Sequence, residues 1–386
     1  MILDRQIVHM DLDSFFVSVE RLKNSAYVGI PLIIGGTADR GVVASCSYEA
    51  RAFGVRSAMP VKTARQLCPQ ATFVRPDMDD YSKHSRLVTE IIESKSPLTE
   101  KASIDEHYLD LTGMDRFFGC MKWAHELRQH IIKESGLPIS FGLSVNKTVS
   151  KIATNEIKPN GEMEISEAQV IPFLSPLSVR KMPGVGPKTY EQLRMLGITS
   201  IETLRQVPLK KLQKVLGEYG TVLFEKSRGI DLSPVVPYSE QKSISKEMTF
   251  EKDTIDIKML NELIVAMCEQ ICFDLRKQEM LAGCVVIKIR YSNFETFTMQ
   301  QKISYTSFDH TIMETAKALF KKLYDKRMLI RLIGVKATGL IHGTQQIDMF
   351  SDTTEQISLY QAMDKIRARY GEDKIMRSSG LLLKKL

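Results

Sequence analysis

Apolar and polar positions in the first 165 residues alternate between strand-like and helix-like periods. Short runs rich in Val, Ile and Phe lie between longer segments with apolar residues every three or four positions. This pattern predicts a mixed α/β (α+β) fold. The predicted strands are 6–11, 30–36, 42–47 and 138–144, with a hairpin near 101–111, and the predicted helices are 15–22, 48–53, 60–68, 79–95, 120–135 and 147–157.

The rest of the chain changes pattern twice. Residues 166–231 have helical periodicity, and a short linker, 233–238, follows them. Beyond it the predicted order is a strand at 243–250, a helix at 256–279, strands at 283–291 and 295–304, a helix at 310–326 and a strand at 329–341. This β-α-β-β-α-β order is typical of a ferredoxin-like unit. A last helix is predicted at 355–370, with one face formed by Tyr360, Met363, Ile366 and Tyr370.

Length and charge predict several domains and an anionic partner. A chain of 386 residues is too long for one ordinary core, so two to four domains are expected. The net charge of +7 is unevenly distributed, at −1 over residues 1–165, +4 over 166–231 and +3 over 232–344. An acidic first part followed by basic parts is the distribution expected if later domains grip a phosphate backbone.

The cysteines and apolar segments bear on localisation. The six cysteines form no C-x-x-C pair, and Cys268 and Cys272 are one helical turn apart, which favours helix packing over zinc binding. No basic leader with a long apolar run is present, and no apolar segment approaches about 18 residues. We therefore expect a cytoplasmic protein with reduced thiols and no membrane association.

Two acidic clusters inside apolar, strand-like sequence are the candidate chemistry. Asp11 lies in Val8-His9-Met10-Asp11-Leu12-Asp13, and Asp105-Glu106 lies in an apolar stretch from 102 to 111. Buried carboxylates are costly unless a cation neutralises them, and a pair of divalent cations would suit phosphoryl transfer. The alternative for a single aspartate is a strand-edge or turn residue that accepts bonds from backbone amides.

Strand geometry restricts which carboxylates can share one site. Asp11 and Asp13 are two positions apart, so both should face the same side. Asp105 and Glu106 are adjacent and should point to opposite faces, so they can serve one site only at a hairpin turn or a bulge.

Four motifs together resemble the Y-family (translesion) DNA polymerases, in their order and spacing. They are Asp11-Leu12-Asp13-Ser14-Phe15-Phe16, Tyr48-Glu49-Ala50-Arg51, Ser103-Ile104-Asp105-Glu106 and Lys158-Pro159-Asn160-Gly161. The resemblance extends to about residue 350. It implies template-directed addition of deoxynucleotides across damaged bases.

The resemblance also implies the domains of a right-handed polymerase. They are a catalytic palm at 1–18 and 77–165, fingers at 19–76, a helical thumb with a helix–hairpin–helix at 166–231, a linker at 232–241, a ferredoxin-like little finger at 242–344 and a tail at 345–386.

Carried over by position, the resemblance assigns the site residues. Two Mg²⁺ ions, for which Mn²⁺ would substitute, would be bound by Asp11, Asp105, Glu106 and the Leu12 carbonyl. Asp13 matches a position that is not normally a ligand.

The resemblance also assigns residues that contact the nucleotide. Phe16 falls at the steric gate against ribonucleotides, although a plain core aromatic is the alternative. Tyr48, Arg51 and Lys158 would hold the triphosphate. His107 and Asn155 depart from the family pattern, which leaves metal affinity and the support of Lys158 open.

Further residues are expected to contact DNA and a protein partner. Met182–Thr189 resembles a helix–hairpin–helix, in which Gly184, Gly186 and Lys188 would face a phosphate, although a simple turn is the alternative. Lys288, Arg290 and Lys302 alternate on predicted strands and are either phosphate contacts or ordinary solvent-side residues. Gln346-Ile347-Asp348-Met349-Phe350 resembles the peptide with which bacterial polymerases dock on the sliding clamp, through Gln346, Met349 and Phe350.

The function predicted from sequence is that of an error-prone DNA polymerase without proofreading. Its expected partners are primer–template DNA, dNTP and a sliding clamp, and a monomer is expected. Two other classes remain as alternatives: a catalytically inactive scaffold that binds DNA and clamp, and a nucleotide cyclase. Loss of the acidic residues would be the signature of the scaffold, and none is lost.

Overall fold

The structure is a computed structural model that describes residues 5–36, 40–114, 119–325, 328–343, 353–371, 374–375 and 377. The chain divides into two compact units, Met1–Ser239 and Glu240–Leu386. Each unit has its own sheets and its own apolar core.

The larger sheet of the first unit has five strands in the order β5-β6-β1-β7-β8. They are β1 (Ile7–Leu12), β5 (Thr99–Lys101), β6 (Glu106–Asp110), β7 (Ile139–Ser144) and β8 (Glu162–Ile165). The helices packed against this sheet or each other are α4 (Met78–Glu93), α5 (Cys120–Ser135) and α6 (Lys147–Ile157). Among the described pairs of this sheet, β7 and β8 are parallel and the others are antiparallel.

The central strand β1 is buried along its whole length because helices cover both faces of the sheet. Val8, Met10 and Leu12 point into the core formed with α4 and α5. The alternate residues His9 and Asp11 point towards α6, where they meet side chains of that helix and of its C-terminal cap. A polar site is therefore enclosed between the sheet and α6.

A second, smaller sheet lies in residues 32–74 and has the order β3-β2-β4. Its elements are β2 (Leu32–Gly35), β3 (Val43–Cys46), α2 (Tyr48–Ala52), α3 (Val61–Leu67) and β4 (Thr72–Val74). A separate core built on Ile33, Val43 and Val61 stabilises it. Helix α1 (Phe15–Lys23) joins β1 to this sheet and contacts β2, β3 and α4.

Five short helices form the end of the first unit. They are α7 (Val170–Leu174), α8 (Pro187–Met195), α9 (Ile201–Gln206), α10 (Leu209–Leu216) and α11 (Tyr219–Lys226). Their core is continuous with Val149 and Ile152 of α6. The turn before α8 requires glycine at position 184, where φ is +93° and an added Cβ would lie 2.1 Å from the Tyr219 hydroxyl.

The segment after these helices lies against the large sheet. Arg5 donates to the carbonyl oxygens of Asp231 and Ser233, and the Val236 amide donates to Glu100 at 2.7 Å. Val235 is buried against Ile7. The predicted linker is thus held on the first unit as far as Val236.

The second unit confirms the predicted β-α-β-β-α-β order. Its elements are β9 (Ser243–Thr254), α12 (Ile257–Lys277), β10 (Met280–Tyr291), β11 (Thr296–Thr306), α13 (Asp309–Leu323) and β12 (Ile330–His342). The antiparallel sheet has the order β11-β10-β12-β9. One face packs against α12 and α13, and the other is open to solvent, as alternating burial along β10 indicates.

The predicted last helix is present, but most of its predicted apolar face is not buried. In α14 (Thr353–Tyr370) only Tyr360 of the predicted set is fully buried, whereas Ile366 and Tyr370 are exposed. Among the described side chains of α14, Tyr360 and Arg367 are buried. Arg367 pairs with Glu269, and its neighbour Asp364 pairs with Arg276, all within the second unit. The helix therefore docks through a polar face.

Most predicted elements agree with the structure to within a few residues, but two strands were missed. β4 is only three residues long, and β8, with the sequence EMEI, carries two glutamates. Neither strand is fully buried. One is too short and the other too polar to be recognised from the apolar pattern of the sequence. Within the described part of the chain, no helix is both long enough and apolar enough to cross a membrane.

Candidate active site

Asp11 and Glu106 meet where β1 ends beside the β5–β6 hairpin, and Asp105 lies next to Glu106 in the turn. Asp11 pairs directly with Glu106, the first residue of β6, across the antiparallel ladder. Asp105 occupies the turn just before Glu106, and its carbonyl accepts the Leu12 amide at 3.1 Å. The hairpin turn thus allows adjacent acidic residues to lie beside one site, as the geometric argument from sequence required.

Ser103 fixes the conformation of this turn. Its hydroxyl donates to Asp105 Oδ1 at 2.6 Å and accepts the Glu106 amide at 3.0 Å. Since Ser103 belongs to the motif Ser103-Ile104-Asp105-Glu106, the motif supplies its own positioning group.

His9 is a site residue that the sequence analysis did not identify. Ligand atoms of His9, Asp11 and Glu106 lie within 4.8 Å of one another. His9 Nδ1 is 2.9 Å from the Thr154 hydroxyl, and burial lowers the pKa of the imidazole to about 4, so the ring is neutral at physiological pH. The signal was available, because His9 is two positions before Asp11 on the same strand.

His107 lies on the opposite face of β6 from the carboxylates. Its Nε2 is 3.0 Å from the hydroxyl of Thr89 on α4. Its bulk therefore lies away from the carboxylates, and the imidazole beside Asp11 and Glu106 is that of His9. Asn155, the other departure from the family pattern, is exposed.

Two lysines neutralise two of the carboxylates. Lys158 forms an ion pair with Asp11, and Lys151 Nζ lies 2.6 Å from Glu106 Oε2. Lys151 was also missed from sequence, although it precedes Lys158 by seven residues, which is two helical turns. These two ammonium groups therefore balance the negative charges of Asp11 and Glu106 when no metal ion is bound.

The carboxylates have opposite proton affinities. Burial raises the pKa of Asp11 to about 7, helped by the charges of Glu106 and Asp105, and Lys158 only partly counters it. Burial would raise the pKa of Glu106 too, but His9 and Lys151 outweigh it and hold that pKa below its usual range. A buried carboxyl group with a pKa this high ionises fully near neutral pH only when further positive charge lies beside it.

The donor set fits hard divalent cations. Asp11, Asp105 and Glu106 offer carboxylate oxygens, the ligands that Mg²⁺ prefers in proteins. A divalent cation would also favour the ionised form of Asp11. These three residues are therefore the ones that would hold the metal.

Tyr48 begins α2 close to Asp13 and Asp11, and Arg51 follows it in the same short helix. The Arg51 guanidinium lies 4.7 Å above the Tyr48 ring. Burial, together with the charges of Asp13 and Asp11, raises the pKa of Tyr48 to about 12, so the phenol stays neutral. The hydroxyls of Tyr48 and Ser14 are buried together without a well-formed hydrogen bond to any described residue, so both can still bond a ligand oxygen.

Phe16 is the second residue of helix α1, which follows β1. Its ring stacks on Tyr81 of α4, with centroids 4.3 Å apart and planes 13° apart. Tyr81 is itself fixed by a hydrogen bond to Glu20 at 2.9 Å. Phe16 is only partly buried, so one side of a rigid ring remains available.

The predicted DNA contacts lie on exposed surfaces. Gly186 caps the N-terminus of α8, which has no side-chain cap, and Lys188 is exposed in its first turn.

The solvent face of the sheet in the second unit carries four basic residues: Lys288, Arg290, Lys302 and Lys336. The sequence analysis did not name Lys336. Lys288 pairs with Glu247 at 2.9 Å and Arg290 donates to Thr296, whereas Lys302 and Lys336 are exposed. Gln346, Met349 and Phe350 lie outside the described residues.

Comparisons with known proteins identify the family. Residues 10–155 match the impB/mucB/samB family, residues 241–349 match its C-terminal domain, and residues 180–231 match the thumb domain of DNA polymerase-iota. DNA polymerase IV of Dehalococcoides mccartyi is 38% identical over 371 residues, 95% of each chain. The chain belongs to the Y family of DNA polymerases. DNA polymerase IV of Desulfatibacillum aliphaticivorans is 37% identical over 372 residues, 95% of this chain and 94% of that one.

Solved Y-family structures share the fold. The Y-family DNA polymerase chimera Dbh-Dpo4(243-245)-Dbh has a TM-score of 0.77 and 25% identity, covering 88% of this chain and 100% of that one. An insertion ternary complex of Dbh DNA polymerase has a TM-score of 0.64 and 26% identity over the same shares. The family, the multidomain polymerase fold and the enzyme class, a DNA-directed DNA polymerase, are thereby confirmed.

Proposed function

We propose that this Y-family enzyme extends a primer on damaged DNA by phosphoryl transfer assisted by two divalent cations. The observation that carries the proposal is that Asp11 and Glu106 face each other across paired strands, with Asp105 in the turn directly before Glu106. Two Mg²⁺ ions bound there would lower the pKa of the attacking hydroxyl and stabilise the leaving pyrophosphate. Mn²⁺ has the same preference for oxygen ligands and would substitute.

The residues of the chain would bind and orient the substrate. Asp11 and Glu106 would act as ligands from two paired strands, Asp105 from the turn, and Leu12 through its backbone carbonyl. Arg51 and Lys158 would bind triphosphate oxygens, and Tyr48 would donate its neutral hydroxyl to one of them. This requires Lys158 to leave Asp11 when a cation takes its place.

Phe16 would select the sugar. A ring held rigidly by stacking on Tyr81 leaves no room for a 2′-hydroxyl, so dNTP would be favoured over rNTP by a clash. The proposed substrates are therefore dNTPs and a primer–template duplex, and an insertion ternary complex of the similar Dbh DNA polymerase supports this.

The proposed domain assignment follows the sequence boundaries. Residues 1–18 and 77–165 would form the palm, 19–76 the fingers, 166–231 the thumb, 232–241 a linker and 242–344 the little finger. Gly184, Gly186 and Lys188 in the thumb, and Lys288, Arg290 and Lys302 in the little finger, would contact phosphates without reading sequence. The proposed synthesis is error-prone bypass without proofreading.

Primer extension is the deciding experiment. The purified full chain with Mg²⁺, a primed template and four dNTPs should extend the primer, and chelation of the metal should stop extension. An inactive scaffold would bind the template without extending it, and a cyclase would convert a nucleotide without needing a template. Insertion opposite undamaged and minor-groove-adducted guanine would then test lesion bypass.

A sliding clamp is the proposed protein partner of an otherwise monomeric enzyme. Met349 and Phe350 would be the apolar anchors of the peptide Gln346–Phe350. Replacing both with Ala should abolish stimulation by the clamp and leave clamp-free synthesis unchanged. Persistent stimulation would exclude this peptide as the docking site.

A further inference from the structure

Two buried charged residues hold the turn that follows Lys158. Asp13 Oδ2 accepts the Asn160 amide at 2.7 Å. Arg128, on α5, donates through Nη2 to the Asn160 carbonyl at 3.0 Å and also bonds its side-chain oxygen. Side chains 147 and 32 residues away in sequence therefore meet on a single turn residue.

Both charged residues are more fully enclosed than the turn they hold. Asp13 is 2% exposed and Arg128 is 5% exposed, whereas Asn160 is exposed. Ser140 donates to both Asp13 oxygens, at 3.0 and 2.9 Å, and accepts the Gly161 amide at 3.1 Å. Arg128 also bonds the Ile139 carbonyl and Glu162, each at 2.7 Å. Buried charges are seldom kept for stability alone, because well-packed apolar residues often serve as well.

The turn leaves little conformational freedom to its residues. Asn160 has a φ of +57°, a left-handed conformation that Asn tolerates better than most residues. At Gly161 an added Cβ would lie 2.2 Å from the Ile157 carbonyl oxygen. A turn held by several charge-assisted bonds fixes the backbone of Lys158, which directly precedes it.

We propose that Asp13 and Arg128 are positioning residues that direct Lys158 towards the triphosphate, and that Asp13 is not a metal ligand. Both Asp13 oxygens already accept hydrogen bonds, and Lys158 Nζ lies 3.9 Å from Oδ1. The inference rests on the proposed role of Lys158 in holding the triphosphate. It explains why a second aspartate follows Asp11 on the same side of the strand.

A double-mutant cycle separates positioning from direct catalysis. In the full chain with primer–template and Mg²⁺, Asp13→Asn and Arg128→Lys should each raise the KM for dNTP about tenfold, the size expected when a charge-assisted bond is weakened, and change kcat less than about threefold. When either is combined with Lys158→Ala, the KM should equal that of Lys158→Ala alone, because the turn would then have no side chain to direct. Multiplying effects in the double mutants would overturn the proposal.

Two further measurements keep the outcomes distinct. Mn²⁺ binding without DNA or dNTP should be unchanged in Asp13→Asn and weakened in Asp11→Asn, so weakening in Asp13→Asn would make Asp13 a ligand and overturn the proposal. Asp110→Asn is the matched control, because Asp110 also accepts a backbone amide in this unit, that of Thr112. Its KM should stay at the wild-type value.

The closing experiment also distinguishes failure of the underlying assignment. If Lys158→Ala alone leaves the KM for dNTP unchanged, the proposed role of Lys158 is wrong. If Lys158→Ala raises the KM and the Asp13 and Arg128 variants do not, only the positioning role is wrong. Should Arg128→Lys fail to fold, Ser140→Ala, which loses one donor to Asp13, replaces it in the cycle.

Discussion

Each of the two units buries a cluster of opposite charges, but the cations differ. At the candidate active site, Lys151 and Lys158 each place one ammonium group against one carboxylate, Glu106 and Asp11. In the second unit, Arg276 donates to Asp309, to both oxygens of Asp364 and to the Ser307 carbonyl. A lysine is a compact point charge that another cation can replace, whereas the arginine fork fixes geometry.

The arginine cluster has an architectural task. Asp309 is fully buried at the start of α13, and Asp364 belongs to α14, so Arg276 on α12 joins three helices. Around Glu269, burial raises the pKa of the carboxyl, and Arg367 and Arg377 partly offset this. Arg128 in the first unit follows the same pattern, since it holds a turn through several bonds. In the proposed mechanism a divalent cation replaces a site lysine, whereas the arginines of the second cluster keep their carboxylate partners.

Removing a site carboxylate should have the largest effect on activity. Asp105→Ala or Glu106→Ala should lower nucleotide insertion by about a thousandfold or more, because a lost metal ligand chiefly removes charge stabilisation during phosphoryl transfer. DNA affinity should change little. Single-turnover insertion and fluorescence anisotropy measure the two quantities. Near wild-type turnover in either variant would remove that residue from the metal site.

Removing the arginine fork should instead unfold structure. Arg276→Met leaves the buried Asp309 without its cation, so the second unit should lose about 3–5 kcal/mol of stability. Lys288→Met is the matched control, because it breaks the partly exposed pair with Glu247 and should cost at most about 1 kcal/mol. Chemical denaturation of the full chain gives the size, and hydrogen exchange in α12 and α14 gives the location. If both variants lose the same amount of stability, the Arg276 cluster is no more structural than a surface ion pair, and the contrast between the two clusters is wrong.

The same comparison explains what sequence could and could not predict. Asp11, Asp105 and Glu106 were predicted from the family motifs, whereas strand alternation alone would have nominated Asp13 beside Asp11. Helical periodicity placed the apolar residues of α14 on one face but did not show which side of the helix is buried. In fact Asp364 turns inward to meet Arg276, 88 residues earlier in the chain. Partners so distant leave no local pattern, which is also why Lys151 was missed as the partner of Glu106.

A third change tests shape rather than charge at the site. Phe16→Ala should admit ribonucleotides at least about tenfold more readily, because it removes a steric barrier of a few kcal/mol, while dNTP use survives. Competing incorporation of dNTP and rNTP measures this. Tyr81→Phe keeps the stacked ring and should retain sugar discrimination. If Phe16→Ala discriminates as well as wild type, Phe16 is an ordinary core aromatic.

The smallest expected effect tests directly whether a site lysine is exchangeable. Lys151 places a positive charge against Glu106, where a divalent cation would have to compete with it. In Lys151→Met that repulsion is gone, so Mn²⁺ should bind about fivefold more tightly, or by about 1 kcal/mol after screening by water. Electron paramagnetic resonance titration of the full chain without DNA or dNTP measures the affinity.

Lys147→Met provides the comparison within the same helix. Lys147 lies one turn before Lys151 on α6 and pairs with Glu100 at 2.7 Å instead of with a site carboxylate. Its removal should leave Mn²⁺ affinity within about twofold of wild type, since the charge is screened over the longer distance. Weaker binding in Lys151→Met would mean that this lysine holds Glu106 in place as Arg276 holds Asp309. The site lysine would then be architectural, and the contrast between the two clusters would fail.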